Sequence, residues 1–329
     1  MRSNAWTRSL SISSSSRGGH LWQLRRPLQL RRRRRRPAYA VLIPLISLLL
    51  ASCGGDADDR DTAGQTGSEA PAGPEELEPA AQERPEERIV DALAPLLAEQ
   101  PREVHRAIRS DPTGFLSAAS SVLESRWVDR VLVDKEFGLP ADYVPEDLVY
   151  LGEYADPLVV NREGMQLERE TAEALAEMAE AAWAEGIVIA ASSAYRSYDY
   201  QAGLFQRYVD QMGLEEAARV SARPGHSQHQ LGTAVDFGSI TLAFGDTPAG
   251  RWLAEEAWRF GFSLSYPKGA EEITGYSYEP WHFRYLGLDA TRLERTYFAG
   301  MQQWMLSFLH HHGEELLALR QEMVTKENE

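Results

Sequence analysis

Apolar positions recur at helical spacing in several stretches of this 329-residue chain. Ile89, Leu93, Leu96 and Leu97 share one face, with Pro95 placed to kink or shorten that helix. Phe115, Ala119 and Leu123 mark a second helix. The strongest amphipathic pattern covers residues 168–184 and stops at Gly186, after which Ile187, Val188, Ile189, Ala190 and Ala191 read as a buried strand. Further helices are predicted over 200–212, stopped by Gly213, and over 249–260, closed by Gly261. Short strands are predicted at 233–237 and 281–285, and 291–323 reads as long and mostly helical. Residues 132–149, with Pro140 and Pro145, are rich in turns. Strands and helices do not alternate in a regular βαβ rhythm, so an α+β fold is expected rather than a doubly wound sheet. No internal repeat is visible.

The first fifth of the chain follows other rules. Residues 1–53 hold eleven arginines, six of them consecutive at 31–36, and no lysine or acid. Fifteen mostly apolar residues follow at 38–52, short of the roughly 20 that a spanning helix needs. A basic region, a short apolar core and small residues together describe a secretory signal. The only cysteine closes it, in Leu50-Ala51-Ser52-Cys53-Gly54. That string resembles a bacterial lipobox, which implies cleavage before Cys53, diacylglycerol on its sulfur and a membrane anchor. The basic region is unusually long for a signal, which suggests a true start downstream of Met1. Residues 54–84 are rich in Gly, Ala, Pro, Asp and Glu with almost no aliphatics, and are expected to be a disordered tether.

Charge narrows the function. Of 34 basic side chains, 23 lie beyond residue 53 and face all 49 acids, a net of −26. That body repels phosphate backbones, so no nucleic-acid partner is expected. A lone cysteine excludes an intramolecular disulfide framework and a cysteine-based zinc finger.

Three of the eight histidines carry the chemistry. His20 lies in the signal, His105 stands alone, and His310, His311 and His312 are consecutive on a helix and so point in different directions. Residues 224–237 read PGHSQHQLGTAVDF. On one straight strand His229 and Asp236, seven apart, would face opposite ways, but Gly232 between them can turn the chain. Imidazole and carboxylate are both good zinc ligands, and spacing alone leaves His226 open in place of His229. A core histidine with an aspartate cap reads the same pair without a metal. A third ligand candidate, His282, follows Glu279-Pro280-Trp281. Three protein ligands and an open position are the usual form of a catalytic zinc site, and a carboxylate beside it can carry protons. Pro280 disfavours helix at Glu279, which places that carboxylate on a turn entering the strand.

Ser227, His229, Gly232, Ala234 and Asp236 satisfy the pattern SxHxxGxAxD, and Glu279, Trp281 and His282 satisfy ExWH. Together they resemble the VanY-type zinc D-alanyl-D-alanine carboxypeptidases, related to the LdcB-type L,D-carboxypeptidases of bacterial cell walls. The stretch Ser193-Ala194-Tyr195-Arg196-Ser197-Tyr198 with Gln201 resembles the family's substrate-binding segment, and residues 139–148 resemble its opening segment. The resemblance covers 131–288 and implies a small antiparallel sheet flanked by helices, the Hedgehog/DD-peptidase-like zinc peptidase fold. It selects His229 over His226 and implies Zn2+ held by His229, Asp236 and His282, with Glu279 as the catalytic base. Arg196 is implied to hold the substrate's terminal carboxylate; Gln201 and Ser227 are implied to orient the peptide, and Tyr266 to contact it. Gln228 stands where the family commonly has glutamate.

The expected organisation is a signal with lipobox (1–52), a tether (53–85), a helical preface (86–130), a zinc carboxypeptidase domain (131–290) and a C-terminal helix (291–329). The expected activity is removal of the C-terminal D-alanine from peptidoglycan stem peptides by an envelope lipoprotein facing the periplasm or wall. The alternatives are an L,D-carboxypeptidase acting on tetrapeptide stems and a non-catalytic wall-binding module. Tyr297, Phe298, Trp304 and Phe308 are expected to be core packing.

Overall fold

The computed structural model describes residues 85–327. The signal segment, Cys53 and nearly all of the tether lie outside the described residues. Two hydrophobic cores organise what is described. Helices α1 (Pro85–Leu93), α2 (Arg102–Ser110) and α3 (Pro112–Glu124) open the chain, followed by a single turn, α4 (Trp127–Arg130). Pro95 does shorten α1, which gives way to turns after Leu93. Asp111 accepts the Gly114 N–H at 2.9 Å to cap α3, whose Pro112 sits in the first turn, where its missing N–H costs nothing.

A short antiparallel pair, β1 (Leu148–Tyr150) with β3 (Gln166–Glu168), leads into α5 (Arg169–Ala184), and β2 (Val159–Val160) lies between them in sequence. The Glu168 carboxylate caps α5 through the Glu170 and Thr171 N–H groups. Next come β4 (Ala190–Ser193), α6 (Tyr198–Met212), α7 (Leu214–Val220) and β5 (Ala234–Phe237). Helix α8 (Pro248–Glu256), β6 (Phe262–Leu264), α9 (Glu271–Thr274), β7 (His282–Tyr285), α10 (Leu288–Tyr297) and α11 (Gln302–Glu327) complete the chain. The main sheet runs β2-β4-β5-β7-β6 and is antiparallel except for the edge pair β2–β4, which is parallel. Among the described residues no helix is long and apolar enough to cross a membrane.

Strand alternation sorts the chemistry. Val235 and Phe237 on β5, and Phe283 and Tyr285 on β7, join a core with Leu175, Met178 and Ala182 of α5. The intervening residues, Ala234 and Asp236 opposite Arg284 and His282, therefore share the other face. Helices α1, α2, α3, α10 and α11 form a second core around Phe115, Phe298 and Phe308, so preface and C-terminal segment pack as one body. Tyr297, Phe298 and Phe308 are buried in it, as their sequence pattern suggested, and Trp304 packs against it.

The long helix expected over 291–323 is broken. Ala299 (φ 54°) and Gly300 (φ 72°) take the left-handed conformation after Tyr297, which ends α10 and redirects the chain before Gln302 starts α11. The helix expected over 249–260 ends as a 3-10 turn at Ala257–Phe260, closed by Gly261.

Glu294 of α10 is buried among these elements, with the Ser263 hydroxyl donating to it at 2.9 Å. Burial raises its carboxyl from an ordinary 4.5 to about 7. The folded state therefore binds a proton that the unfolded chain releases, and stability falls as pH rises from 4.5 through 7. A shift of that size corresponds to roughly 3 kcal/mol. Glu294→Gln should thus be more stable than the wild type at pH 8 by up to that order, with the gain vanishing near pH 4.5; melting curves at both pH values check this.

Candidate active site

His229 lies in a 3-10 turn, Gln228–Leu231, whose last N–H bonds are followed by Gly232 in the left-handed conformation (φ 73°). A Cβ at Gly232 would also meet Leu148 and Pro145 at 3.1 Å, so glycine is required on two counts. The turn it makes brings His229 back beside Asp236 on β5. Asp236 pairs directly with His282 on β7, so their side chains project side by side. Glu279 sits on the turn before β7, its N–H donating to the Tyr266 carbonyl at 3.0 Å.

Hydrogen bonding fixes where the lone pairs point. His229 Nδ1 lies 2.7 Å from the Ala194 carbonyl, which can only accept, so Nδ1 carries the proton. Its bare Nε2, fully buried and without a hydrogen-bond partner, lies 3.3 Å from Asp236 Oδ2. His282 Nε2 lies 3.2 Å from Gln228 Oε1, also an acceptor only, so the His282 proton is there. That leaves the His282 Nδ1 lone pair facing Asp236 Oδ1 at 2.9 Å. Two imidazole lone pairs and a carboxylate thus converge, all within 4.8 Å of one another and all buried. Electron-rich atoms that close repel one another, and a cation between them relieves that repulsion. Two nitrogens and one oxygen are a donor set that suits zinc.

The electrostatics follow. Burial works to raise the Asp236 carboxyl, but the protonated forms of His229 and then His282 would hold it well below the usual carboxylate range, a role that a metal ion takes over when the imidazoles are neutral. Burial, then the Arg196 guanidinium, lowers His229 to about 4, which keeps it neutral and able to ligate. Glu279 is raised to about 7, chiefly by burial, and its Oε2 is 3.7 Å from His282 Nδ1. A carboxyl at that value exchanges protons readily near neutrality.

A groove of about 250 Å³ opens on this cluster. Arg196, Gln201, Ser227 and Tyr266, all singled out from the sequence, line it together with His229, Asp236, Glu279 and His282. Arg196 Nη2 is 3.9 Å from Asp236 Oδ2. Gln201 donates through Nε2 to the Ala222 carbonyl at 2.7 Å, which leaves its buried Oε1 unpaired. The Tyr266 ring tilts against His282 at 4.9 Å and against Tyr276 at 4.6 Å, and burial pushes its phenol well up. His226 is elsewhere, its Nδ1 2.8 Å from the Asp134 carbonyl. Cys53 lies outside the described residues. The sequence reading missed Tyr276, with its buried, unpaired hydroxyl, and Lys135, whose ammonium sits 3.3 Å over the Tyr276 ring. Neither stands in a recognisable motif.

Fold and site together place a buried His-Asp-His cluster, with the donors to hold one metal ion, on an α+β scaffold. Residues 164–288 match the model of the VanY family, described as D-alanyl-D-alanine carboxypeptidase. The Bacillus subtilis protein YodJ is 40% identical over 168 residues, covering 49% of this chain and 61% of YodJ. A D-alanyl-D-alanine carboxypeptidase of Enterococcus faecium is 30% identical over 181 residues, covering 53% of this chain and 56% of the relative. The chain therefore spans about three fifths of these relatives. Among solved structures, the LdcB LD-carboxypeptidase is 36% identical, with 54% of this chain and 84% of that one covered and a TM-score of 0.49.

Metal titration tests the converging lone pairs. The wild type should take up about one zinc per chain, as a set of three protein donors with an open position implies. His229→Ala and His282→Ala should each lose it, read by metal content after gel filtration. Full retention by His282→Ala would refute the trio.

Proposed function

We propose that this protein is a zinc-dependent carboxypeptidase that removes the C-terminal D-alanine from peptidoglycan stem peptides. The observation that carries the reading is the buried meeting of His229 Nε2, Asp236 and His282 Nδ1, with the near-neutral Glu279 at its side. Zinc bound there would supply Lewis acidity, polarising a carbonyl and acidifying water.

The chain's own residues do the rest. Arg196 presents a planar fork from the groove wall to a terminal carboxylate, a geometry that lysine cannot match. Such a contact selects the end of a peptide over its interior. The free Gln201 Oε1 accepts a substrate N–H, and the Ser227 hydroxyl gives a second anchor beside it. Tyr266 forms the wall next to His282. Glu279 takes a proton from the attacking water and passes it to the leaving amine, so the carboxylate ends as it began. The net change is one amide bond hydrolysed, with a free amino acid released.

Placement in the cell envelope rests on the N-terminal pattern. We read Cys53 as lipidated, with residues up to 52 removed and the tether allowing the domain to reach the wall from a membrane.

The deciding experiment incubates purified protein with pentapeptide and tetrapeptide stems and weighs the products. Loss of one alanine from the pentapeptide is expected; turnover of the tetrapeptide alone would make it an L,D-carboxypeptidase, and no turnover with zinc bound would make it a binding module. In the same assay Glu279→Gln should keep its zinc while turnover falls by about 10²–10⁴-fold. Loss of zinc would make Glu279 a ligand instead. For the anchor, Cys53→Ser in cells should move the protein out of the membrane fraction or leave the precursor uncleaved, and unchanged fractionation would dismiss the lipid.

A further inference from the structure

Gln302 is the first residue of α11 and lies outside the matched 164–288 segment. It is nevertheless buried, 2% exposed, against the metal centre's own support. Its Nε2 donates to Ser265 Oγ at 3.2 Å, and its Oε1 accepts from Gln228 Nε2 at 3.1 Å. Ser265 Oγ donates in turn to Gln228 Oε1 at 2.7 Å. The three side chains close a ring of three hydrogen bonds, and His282 Nε2–H joins it from outside on Gln228 Oε1.

The ring has a direction. An amide has an acceptor end and a donor end that differ little in shape, so burial alone does not orient it. Were Gln228 turned round, its NH2 would oppose His282 Nε2–H, and the histidine would have to move its proton to Nδ1, the atom that faces Asp236. Gln302 opposes that reversal, because its carbonyl oxygen takes the Gln228 amide proton and its Nε2 donates to Ser265, so that Gln228 cannot turn round unless Gln302 and the Ser265 hydroxyl turn with it. The left-handed pair Ala299 and Gly300, with Phe298 packed between Phe115 and Phe308, sets where α11 begins and so where Gln302 arrives.

We propose that Gln302 is a positioning residue for the metal centre: acting through Gln228, it keeps the His282 proton on Nε2 and the Nδ1 lone pair directed at the metal. The C-terminal helix is then part of the site's support as well as of the helical core. This rests on His282 being a ligand.

The test reads zinc affinity by competition with a chromophoric chelator, together with the visible spectrum of the Co2+-loaded protein, in the full chain without substrate. Loss of such outer support typically weakens metal binding about 10–100-fold. Gln302→Met should show a loss of that order and an altered cobalt spectrum. Leu316→Ala, a packing change further along the same helix, should lower the melting temperature and leave zinc affinity unchanged. A carboxylate accepts at both oxygens and has no wrong way round, so Gln228→Glu in the Gln302→Met background should restore affinity. Wild-type affinity in Gln302→Met, or a double variant as weak as the single one, would overturn the proposal. If Gln302→Met does not fold, Ser265→Ala breaks the same ring from within the domain, and unchanged affinity there would overturn it equally. A wild type that binds no zinc would remove the metal centre itself, and this inference with it, which is a separate outcome from intact binding in the variants.

Discussion

The Asp236 carboxylate, buried between two imidazoles, is the constraint on which the rest of the structure depends. A charge out of water is costly unless it is paired, and here each oxygen faces a histidine lone pair, at 2.9 and 3.3 Å, so the partner the carboxylate calls for is a cation shared by all three side chains. Three separate pieces of chain must meet for this: the 3-10 turn carrying His229, the strand carrying Asp236, and the strand carrying His282. The register between β5 and β7 sets the second meeting, and Gly232 sets the first. A one-residue slip in that register would send Asp236 to the hydrophobic face and Val235 to the site.

The same strand alternation explains why the sheet is buried on both faces. Beneath it lie α5 and a conventional apolar core. Above it lies a polar layer that must be satisfied piece by piece. Arg284, two residues after His282 and fully buried, donates to the Val128 carbonyl at 3.1 Å and the Val131 carbonyl at 2.9 Å. Burial drops its guanidinium to about 10, with Asp129 opposing that fall. Strand β7 is thereby fastened to the end of the helical preface, and Gln302 fastens the C-terminal helix to the same layer. The two segments outside the matched family domain are packed against each other and tied to the strand that bears His282.

Amphipathic helices, glycine stops and the polar motifs were legible in the sequence because each is a local pattern. Helix α5 came within one residue, the stops at Gly186, Gly213 and Gly261 fell where the chain turns with positive φ, and the apolar stripe of α3 was visible in three residues. The break between α10 and α11 was not legible, since Ala299 has no intrinsic preference for its left-handed conformation and takes it only because both helices are held in the same core. Nor was the parallel pairing of β2 with β4, for a two-residue strand has almost no periodicity to read.

For the site, the sequence supplied residue types and their order: two histidines, an aspartate and a glutamate in motifs that resemble one family, and an arginine and a glutamine in a third stretch. It could not choose His229 over His226 by spacing, because both precede the same turning glycine, Gly232, by three residues and by six. The tertiary structure made that choice by placing the Ala194 carbonyl against one ring and the Asp134 carbonyl against the other. It also decided which nitrogen of each histidine is bare, and that a glutamine 74 residues from Gln228 would help to decide it. Proton positions are set by partners distant in sequence, which only the folded chain brings within hydrogen-bonding reach.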